Sequence, residues 1–185
     1  DKLEFANFCR SRNLPVIFTS GDLDACGSGP FVVKERYGSG SRSVGLRLER
    51  AEALEHSALL AAPIYQPFVE GREVSIDGWI DNGGAVRGVV LRRRDLVIKG
   101  EAQVSTTFHN KELEDSAIAT FQMLGLRGPV MMQAIVGADF GWHIIECNAR
   151  FGGASTTAIG AGLDMLYWSL CEARDPTSQA IFERS

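Results

Sequence analysis

The residues best suited to chemistry stand at the end of an apolar run, residues 144–148. Glu146 and Asn148 are two positions apart there, so in a β-strand both side chains project from the same face. A carboxylate beside an amide carbonyl suits a hard, oxygen-seeking cation such as Mg²⁺. Gln133, on the preceding apolar run, adds a third oxygen if the two runs pair as a hairpin. The sequence therefore predicts a metal site at Gln133, Glu146 and Asn148.

Arg150 follows this strand end by two residues and enters a loop with two adjacent glycines. Its planar guanidinium is suited to binding a phosphoryl group through paired hydrogen bonds. The alternative is a surface strand whose polar side chains are simply solvated. Residues 131–145 are apolar enough to be buried, and buried charged groups need partners, which favours a site.

A second candidate is the glycine- and serine-rich segment 37–45, which lies between two predicted strands. Glycine tolerates positive φ, so such a loop can turn its backbone N–H groups toward phosphate oxygens. Lys34 ends the preceding strand and offers an ammonium for the same anion. The loop matches neither the Walker A pattern nor G-x-G-x-x-G. A flexible hairpin without function has the same composition, so the loop alone leaves phosphate binding open.

The composition narrows the class of protein. The chain has 185 residues, of which 45% are hydrophobic and 23% charged, and its net charge is -4. These values favour a folded domain over a disordered chain, and they predict no general attraction to nucleic acid. Apolar stretches fall short of the roughly 20 residues of a membrane span. Four cysteines without a C-x-x-C pair, and no apparent signal peptide, predict free thiols and a cytoplasmic location.

Periodicity predicts the elements that position these residues. Strands with period-two alternation or β-formers are expected at residues 31–35, 44–48, 64–69, 73–80, 86–92, 130–137 and 142–148. Helices are expected at residues 1–13, 51–60 and 111–124, with a helical tail after residue 155. Most strands are joined by hairpin turns, which predicts an α+β fold with mostly antiparallel sheets.

Four stretches, in this order, resemble the ATP-grasp superfamily, and most its branch related to the large subunit of carbamoyl phosphate synthase. They are Asp1-Lys2 opening a helix, Val32-Val33-Lys34 before the glycine loop, residues 65–73, and residues 145–153. The resemblance implies the ATP-grasp fold, in which two α+β lobes enclose a nucleotide cleft. It implies a leading helix at 1–12, a small lobe with a glycine-rich lid at 13–66, and a large lobe at 67–185.

The resemblance also implies roles for individual residues. Those that would contact ATP are the phosphate-binding Lys2 and Lys34, the lid residues Gly38, Ser39, Gly40 and Ser41, the adenine-reading hinge Gln66, Pro67, Phe68 and Val69, and the ribose-binding Glu73. Gln133, Glu146 and Asn148 would hold two Mg²⁺ ions, for which Mn²⁺ could substitute. Arg150 would stabilise the transferring γ-phosphoryl group, and Lys99 and Glu101 would lie near the acceptor.

The sequence departs from the family pattern at three points. Gln66 stands where many members carry a glutamate, and Glu35 stands beside Lys34 where proline is common. A carboxylate so close to phosphates would be unfavourable unless it points away. Members also usually carry an α/β domain before the helix that here begins at residue 1, so a partner domain or subunit is expected to supply that part.

The expected function is ATP- and Mg²⁺-dependent activation of a carboxylate, or of bicarbonate, as an acyl phosphate that an amine or ammonia then attacks. The partners implied are ATP, a small carboxylate and an amine or ammonia, without nucleic acid or membrane. Two alternatives stay open. One is a non-catalytic ATP-binding module that needs a partner chain or the missing N-terminal domain. The other is an unrelated α+β binding domain with fortuitous motifs.

Overall fold

The computed structural model describes residues 1–38, 43–98, 101–137, 141–178 and 180–183. Ser39, Gly40, Ser41 and Lys99, which the sequence assigns to the site, lie outside these ranges, as does the side chain of Glu101.

The smaller of two sheets carries the strand that ends in Lys34. Its three antiparallel strands run in the order β2-β1-β3, with β1 at Phe31–Glu35, β2 at Gly45–Leu48 and β3 at Pro63–Pro67. Helix α2 (Arg50–Ser57) packs on this sheet, and the buried cluster beneath it includes Phe31, Val33 and Ala53. The β-branched and aromatic side chains of β1 account for this strand and its burial.

The larger sheet is antiparallel throughout and has the order β6-β5-β4-β7-β8. Its strands are β4 (Arg72–Ile80), β5 (Val86–Ile98), β6 (Glu101–Phe108), β7 (Gly128–Val136) and β8 (Trp142–Asn148). Together the two sheets confirm the predicted α+β class with antiparallel pairing.

One face of the larger sheet is covered by helix α3 (Lys111–Leu124). Asn110 caps its first turn by accepting a hydrogen bond from the Leu113 amide, and Gly125 ends it in the left-handed conformation. Phe121 projects from α3 into a buried cluster that contains Ile76 of β4. Alternation along β4 therefore leaves Glu73, Ser75, Asp77 and Trp79 on the opposite face.

Along β4 the opposite face changes from polar to apolar. Trp79 lies in a buried cluster with Leu163 and Met165, beneath helices α4 (Thr156–Gly160) and α5 (Met165–Arg174). Glu73, at the other end of the strand, is 40% exposed at its side chain. The sheet face is thus closed by helices at one end and accessible at the other.

Helix α1 (Lys2–Ser11) contacts both sheets. Its Cys9 is buried in the core of the larger sheet, and the chain beyond it pairs with β8 through Ile17 N–H to Ile144 O at 3.1 Å. At its start, Asp1 forms a salt bridge of 2.7 Å with Arg36, just after β1. The helix therefore links the two sheets, and the predicted division into lobes at residues 12 and 66 stays a prediction.

Two expectations about the elements were wrong. Strand β5 continues to Ile98 instead of ending near residue 92, and β6 was not predicted. Arginine and aspartate at 92–95 interrupt the apolar pattern of β5, and β6 is a polar edge strand paired with β5 alone within the described sheet. Edge strands with few buried side chains give little periodic signal. Within the described residues, no helix combines the length and apolar character that a membrane span requires.

We expect Gly78→Ala to destabilise the fold by about 1–3 kcal/mol, because a methyl group there overpacks the core between β4 and α3. A Cβ at Gly78 would lie 2.6 Å from Cε2 of Phe121, which is fully buried. The change is measured as a shift of the urea unfolding midpoint. Gly21→Ala is the matched control, since a Cβ there meets nothing within 4 Å; equal midpoints for the two variants would contradict the packing.

Candidate active site

The three predicted metal ligands lie together on the accessible face of the larger sheet. Gln133 of β7 is the register partner of Glu146 of β8, and Asn148 is opposite Met131. Ser75 of β4 flanks Gln133 on its other side. The pairing predicted from the sequence is therefore confirmed, whereas the role of these residues in metal binding stays a prediction.

Hydrogen bonds orient the two amides toward carboxylates. Asn148 Nδ2 donates to Glu146 Oε1 at 3.0 Å, and Gln133 Nε2 donates to Glu73 Oε1 at 2.8 Å. Each amide thus uses its N–H on an acid and keeps its oxygen for another partner. In the described part of the chain, no group of three or more His, Cys, Asp or Glu residues could hold a metal ion. One carboxylate with two amide oxygens fits a hard cation that takes its remaining ligands from phosphate and water.

Glu73 has two contacts, one of which joins it to this cluster. It forms a salt bridge with Arg94 of β5, in addition to the hydrogen bond from Gln133. A cavity of about 400 Å³ opens beside this pair. Its lining residues are Arg72, Glu73, Arg93, Arg94, Asp95 and Val97. Glu73, which the resemblance assigns to ribose binding, therefore lines a cavity.

Lys34 is a candidate site residue on β1 of the smaller sheet. Only 6% of this residue is exposed. Burial lowers the pKa of Lys34 to about 8; Glu146 and Glu73 oppose this lowering, and Lys2 adds to it. Glu146 and Glu73 of the larger sheet therefore favour the charged form of an ammonium on the smaller sheet.

The start of α1 is attached to the root of the glycine-rich loop. Lys2 Nζ donates to Gly38 O at 2.9 Å, and the Lys2 amide donates to Arg36 O at 3.2 Å. Gly38 has φ 110°, a backbone conformation that other residues rarely adopt. Segment 34–38 leads into the loop: it begins at Lys34, and Lys2 contacts its last residue, Gly38. The other predicted lid residues lie outside the described ranges.

The predicted hinge begins in the last two residues of β3 and continues beyond it. The side chain of Gln66 is turned into the interior, where Nε2 donates to Thr19 Oγ1 at 2.8 Å. The Phe68 amide donates to Pro30 O at 2.8 Å, and Pro67 has no N–H. Val69 is half-buried and directly follows. The sequence offered no signal for Thr19, because its contact with Gln66 spans 47 positions.

Two further charged residues, Glu35 and Arg150, form hydrogen bonds with backbone groups. Glu35 is turned away from Lys34, and its carboxylate accepts hydrogen bonds from the Ala61 and Ala62 amides at 2.6 and 3.1 Å. The Glu35 carboxylate is therefore directed away from Lys34, which is the arrangement that avoids unfavourable charge near a bound phosphate. Arg150 is exposed beyond Asn148, and its guanidinium donates to Phe151 O at 2.9 Å.

Sequence reasoning missed Arg92, Arg94 and Asp77. The three polar side chains lie on the same sheet face as Glu73, and the salt bridge between Arg92 and Asp77 is fully buried. Alternation along β4 and β5 was the available signal, since it places Asp77 and Arg92 on the face of Glu73. From the sequence, the arginine run at 92–94 is as consistent with guiding an anionic substrate toward a cleft as with a solvated strand end.

Solved structures with the same fold span about twice the length of this chain. The biotin carboxylase domain of Hydrogenobacter thermophilus 2-oxoglutarate carboxylase, determined with MgADP, ADP and bicarbonate, has a TM-score of 0.80 at 15% identity, over 98% of this chain and 47% of its own. N5-carboxyaminoimidazole ribonucleotide synthetase from Thermotoga maritima has a TM-score of 0.72 at 18% identity, over 100% and 51%. L-amino acid ligase from Bacillus licheniformis has 0.67 at 18% identity, over 95% and 47%.

At these identities the likeness establishes the fold. No curated protein is significantly similar to the chain in sequence. A protein-family model matches residues 61–184, which is more than half of the chain and runs from the start of β3 through α5. Its description is "ATP-grasp in the biosynthetic pathway with Ter operon", and the chain belongs to this ATP-grasp family.

Proposed function

We propose that this chain binds MgATP between its two sheets and uses it to activate a carboxylate, or bicarbonate, as an acyl phosphate for attack by an amine or ammonia. The observation that carries the proposal is the grouping of Gln133, Glu146 and Asn148 on one sheet face, together with a buried ammonium, Lys34, on the other sheet, whose charged form Glu146 and Glu73 favour. An ammonium opposite carboxylate and amide oxygens provides both halves of a site for a metal-bound polyphosphate. Membership of an ATP-grasp family supports a ligase.

Each part of the nucleotide has a proposed partner. Lys34 and Lys2 bind phosphate oxygens, and the lid residues 38–41 cover them. The adenine is read by backbone groups of residues 66–69, where Pro67 has no N–H and the Phe68 amide already donates to Pro30 O. Glu73 accepts hydrogen bonds from the ribose hydroxyls. These replace the hydrogen bond that it accepts from Gln133 Nε2 in the free protein.

Gln133, Glu146 and Asn148 are the residues that would hold Mg²⁺, with Mn²⁺ as a substitute. When bound, the metal neutralises phosphate oxygens and so lowers the barrier to phosphoryl transfer. The protein contributes position and charge: Arg150 reaches the transferring phosphoryl group from the loop after Asn148. Lys99 stays a prediction for the acceptor side.

The finer assignment, a ligase like carbamoyl phosphate synthase, rests on the four stretches that carry the resemblance, of which 145–153 is the most specific. The fold relatives include a structure with bicarbonate and an L-amino acid ligase, so both acceptor classes belong in a screen. A second candidate function is an ATP-binding module that needs a partner chain. The chain spans 47% of the biotin carboxylase domain chain that it resembles, which favours testing it with and without such a partner.

Incubation with MgATP, carboxylates or bicarbonate, and amines or ammonia is expected to release ADP with the right pair. Arg150→Ala should retain ATP binding and lose about 10²–10³ in turnover, because a transition-state cation is removed. Arg174→Ala, an exposed arginine at the end of α5, is the matched control. Wild-type turnover in Arg150→Ala would remove Arg150 from the mechanism. Binding of MgATP without ADP release under any condition would favour the binding module.

Glu146→Ala should abolish the Mg²⁺-dependent part of ATP binding, because the carboxylate of the proposed metal set is lost. Calorimetric titration with ATP in Mg²⁺, in Mn²⁺ and in EDTA measures that part directly. Glu55→Ala, an exposed glutamate on α2, serves as control and should bind as wild type does. If Glu146→Ala retains the full Mg²⁺ dependence, the metal assignment fails.

Affinity for MgATP should fall as the pH rises through about 8, the pKa of Lys34 in the free protein. Phosphate favours the ammonium form, so binding above this pH requires proton uptake, and affinity drops by at most about tenfold per pH unit. Lys34→Arg stays protonated and should flatten the profile. A wild-type dissociation constant that does not change between pH 7 and 9.5 would contradict the contact.

A further inference from the structure

A buried ion pair crosses the centre of the larger sheet. Asp77 of β4 is fully buried, and its Oδ2 accepts a hydrogen bond of 2.5 Å from Arg92 Nε on β5. The Arg92 side chain is 3% exposed. Removing two charges from water is costly, and apolar residues of similar volume often stabilise a fold as well or better. A pair at this position therefore calls for a further partner.

That partner is Ser155, in the segment between β8 and α4. Its hydroxyl donates to Asp77 Oδ1 at 2.5 Å and accepts a hydrogen bond from the Gly152 amide at 2.8 Å. Ser155 stands at the first position before α4, where a serine usually caps the helix, yet its side chain makes no capping bond. The hydroxyl is directed to the sheet instead, and it is 2% exposed.

The same contacts hold the loop that carries Arg150. Asn148 ends β8 in register with Met131, and Gly152 is held by Ser155, so Arg150 lies midway between two fixed points. Gly152 also packs closely on the sheet, since a Cβ there would be 3.1 Å from Met131 Cγ. The backbone around Arg150 is thus anchored to β4 and β7 although its side chain is exposed.

We propose that Asp77, oriented by Arg92, and Ser155 are positioning residues that set the Arg150 loop against the transferring phosphoryl group. This rests on the role of Arg150 in the proposed function. A charged acceptor makes a stronger hydrogen bond than a neutral one, so Asp77 holds Ser155 firmly in a water-excluded site. Because Ser155 Oγ also accepts a hydrogen bond from the Gly152 amide, a fixed Ser155 restrains Gly152, which is two residues from Arg150. Displacement of such a group by about 1 Å can lower a rate about 10²-fold.

The test compares Ser155→Ala with wild type in the full chain, using the carboxylate and amine found in the ADP-release screen. Ser155→Ala should bind MgADP as wild type does, lose about 10–100-fold in kcat, and keep its KM for ATP. Its Gly152 amide should exchange hydrogen faster. Ser169→Ala is the matched control, because that hydroxyl donates to Met165 O at 2.7 Å within α5, away from the loop. Ser155→Cys, of similar size but a weak donor, replaces Ser155→Ala if the latter does not fold.

A double variant separates positioning from a general structural effect. If Ser155 acts through Arg150, Ser155→Ala should cost little further kcat in an Arg150→Ala background. Costs that multiply in the double variant, or a Ser155→Ala enzyme with wild-type kcat, would overturn the inference while leaving the proposed function intact. A wild-type chain that does not bind MgATP would instead defeat the proposed function itself.

Discussion

The electrostatic interaction between a buried ammonium on one sheet and carboxylates on a second sheet is the constraint on which the site depends. Lys34 comes from a short three-stranded sheet, whereas Glu146 and Glu73 come from the five-stranded one. Burial lowers the pKa of the lysine, and the two acids oppose that lowering. A polyphosphate entering between them would supply the negative charge that a buried ammonium lacks. The two sheets therefore have to be held at a set separation.

Helix α1 provides that connection. Cys9 is buried with the larger sheet, while Asp1 pairs with Arg36 and Lys2 is bonded to Gly38 at the root of the glycine-rich loop. The contact between Lys2 and Gly38 joins one proposed phosphate ligand to the segment that leads into the lid.

In the larger sheet, residues that stabilise the fold and residues of the candidate site lie at opposite ends of the same strand face. On one face of β4, Trp79 is sealed under α4 and α5, Asp77 forms a buried ion pair, and Glu73 reaches the accessible cluster. The apolar end supplies the burial that stabilises β4 in the sheet. The polar end can then hold several charged groups in fixed positions, because their backbone is already ordered by the core.

Local sequence determined the strands β1, β4 and β8, helix α3, and the placement of Glu146 and Asn148 on one face, since period and capping act between near neighbours. Their resemblance to ATP-grasp proteins predicted the family. Tertiary structure decided what depends on distant contacts. Gln66 is held by Thr19, and Ser155 is bonded to Asp77 across 78 positions. No local pattern encodes such pairs, because they form only when separate elements pack together.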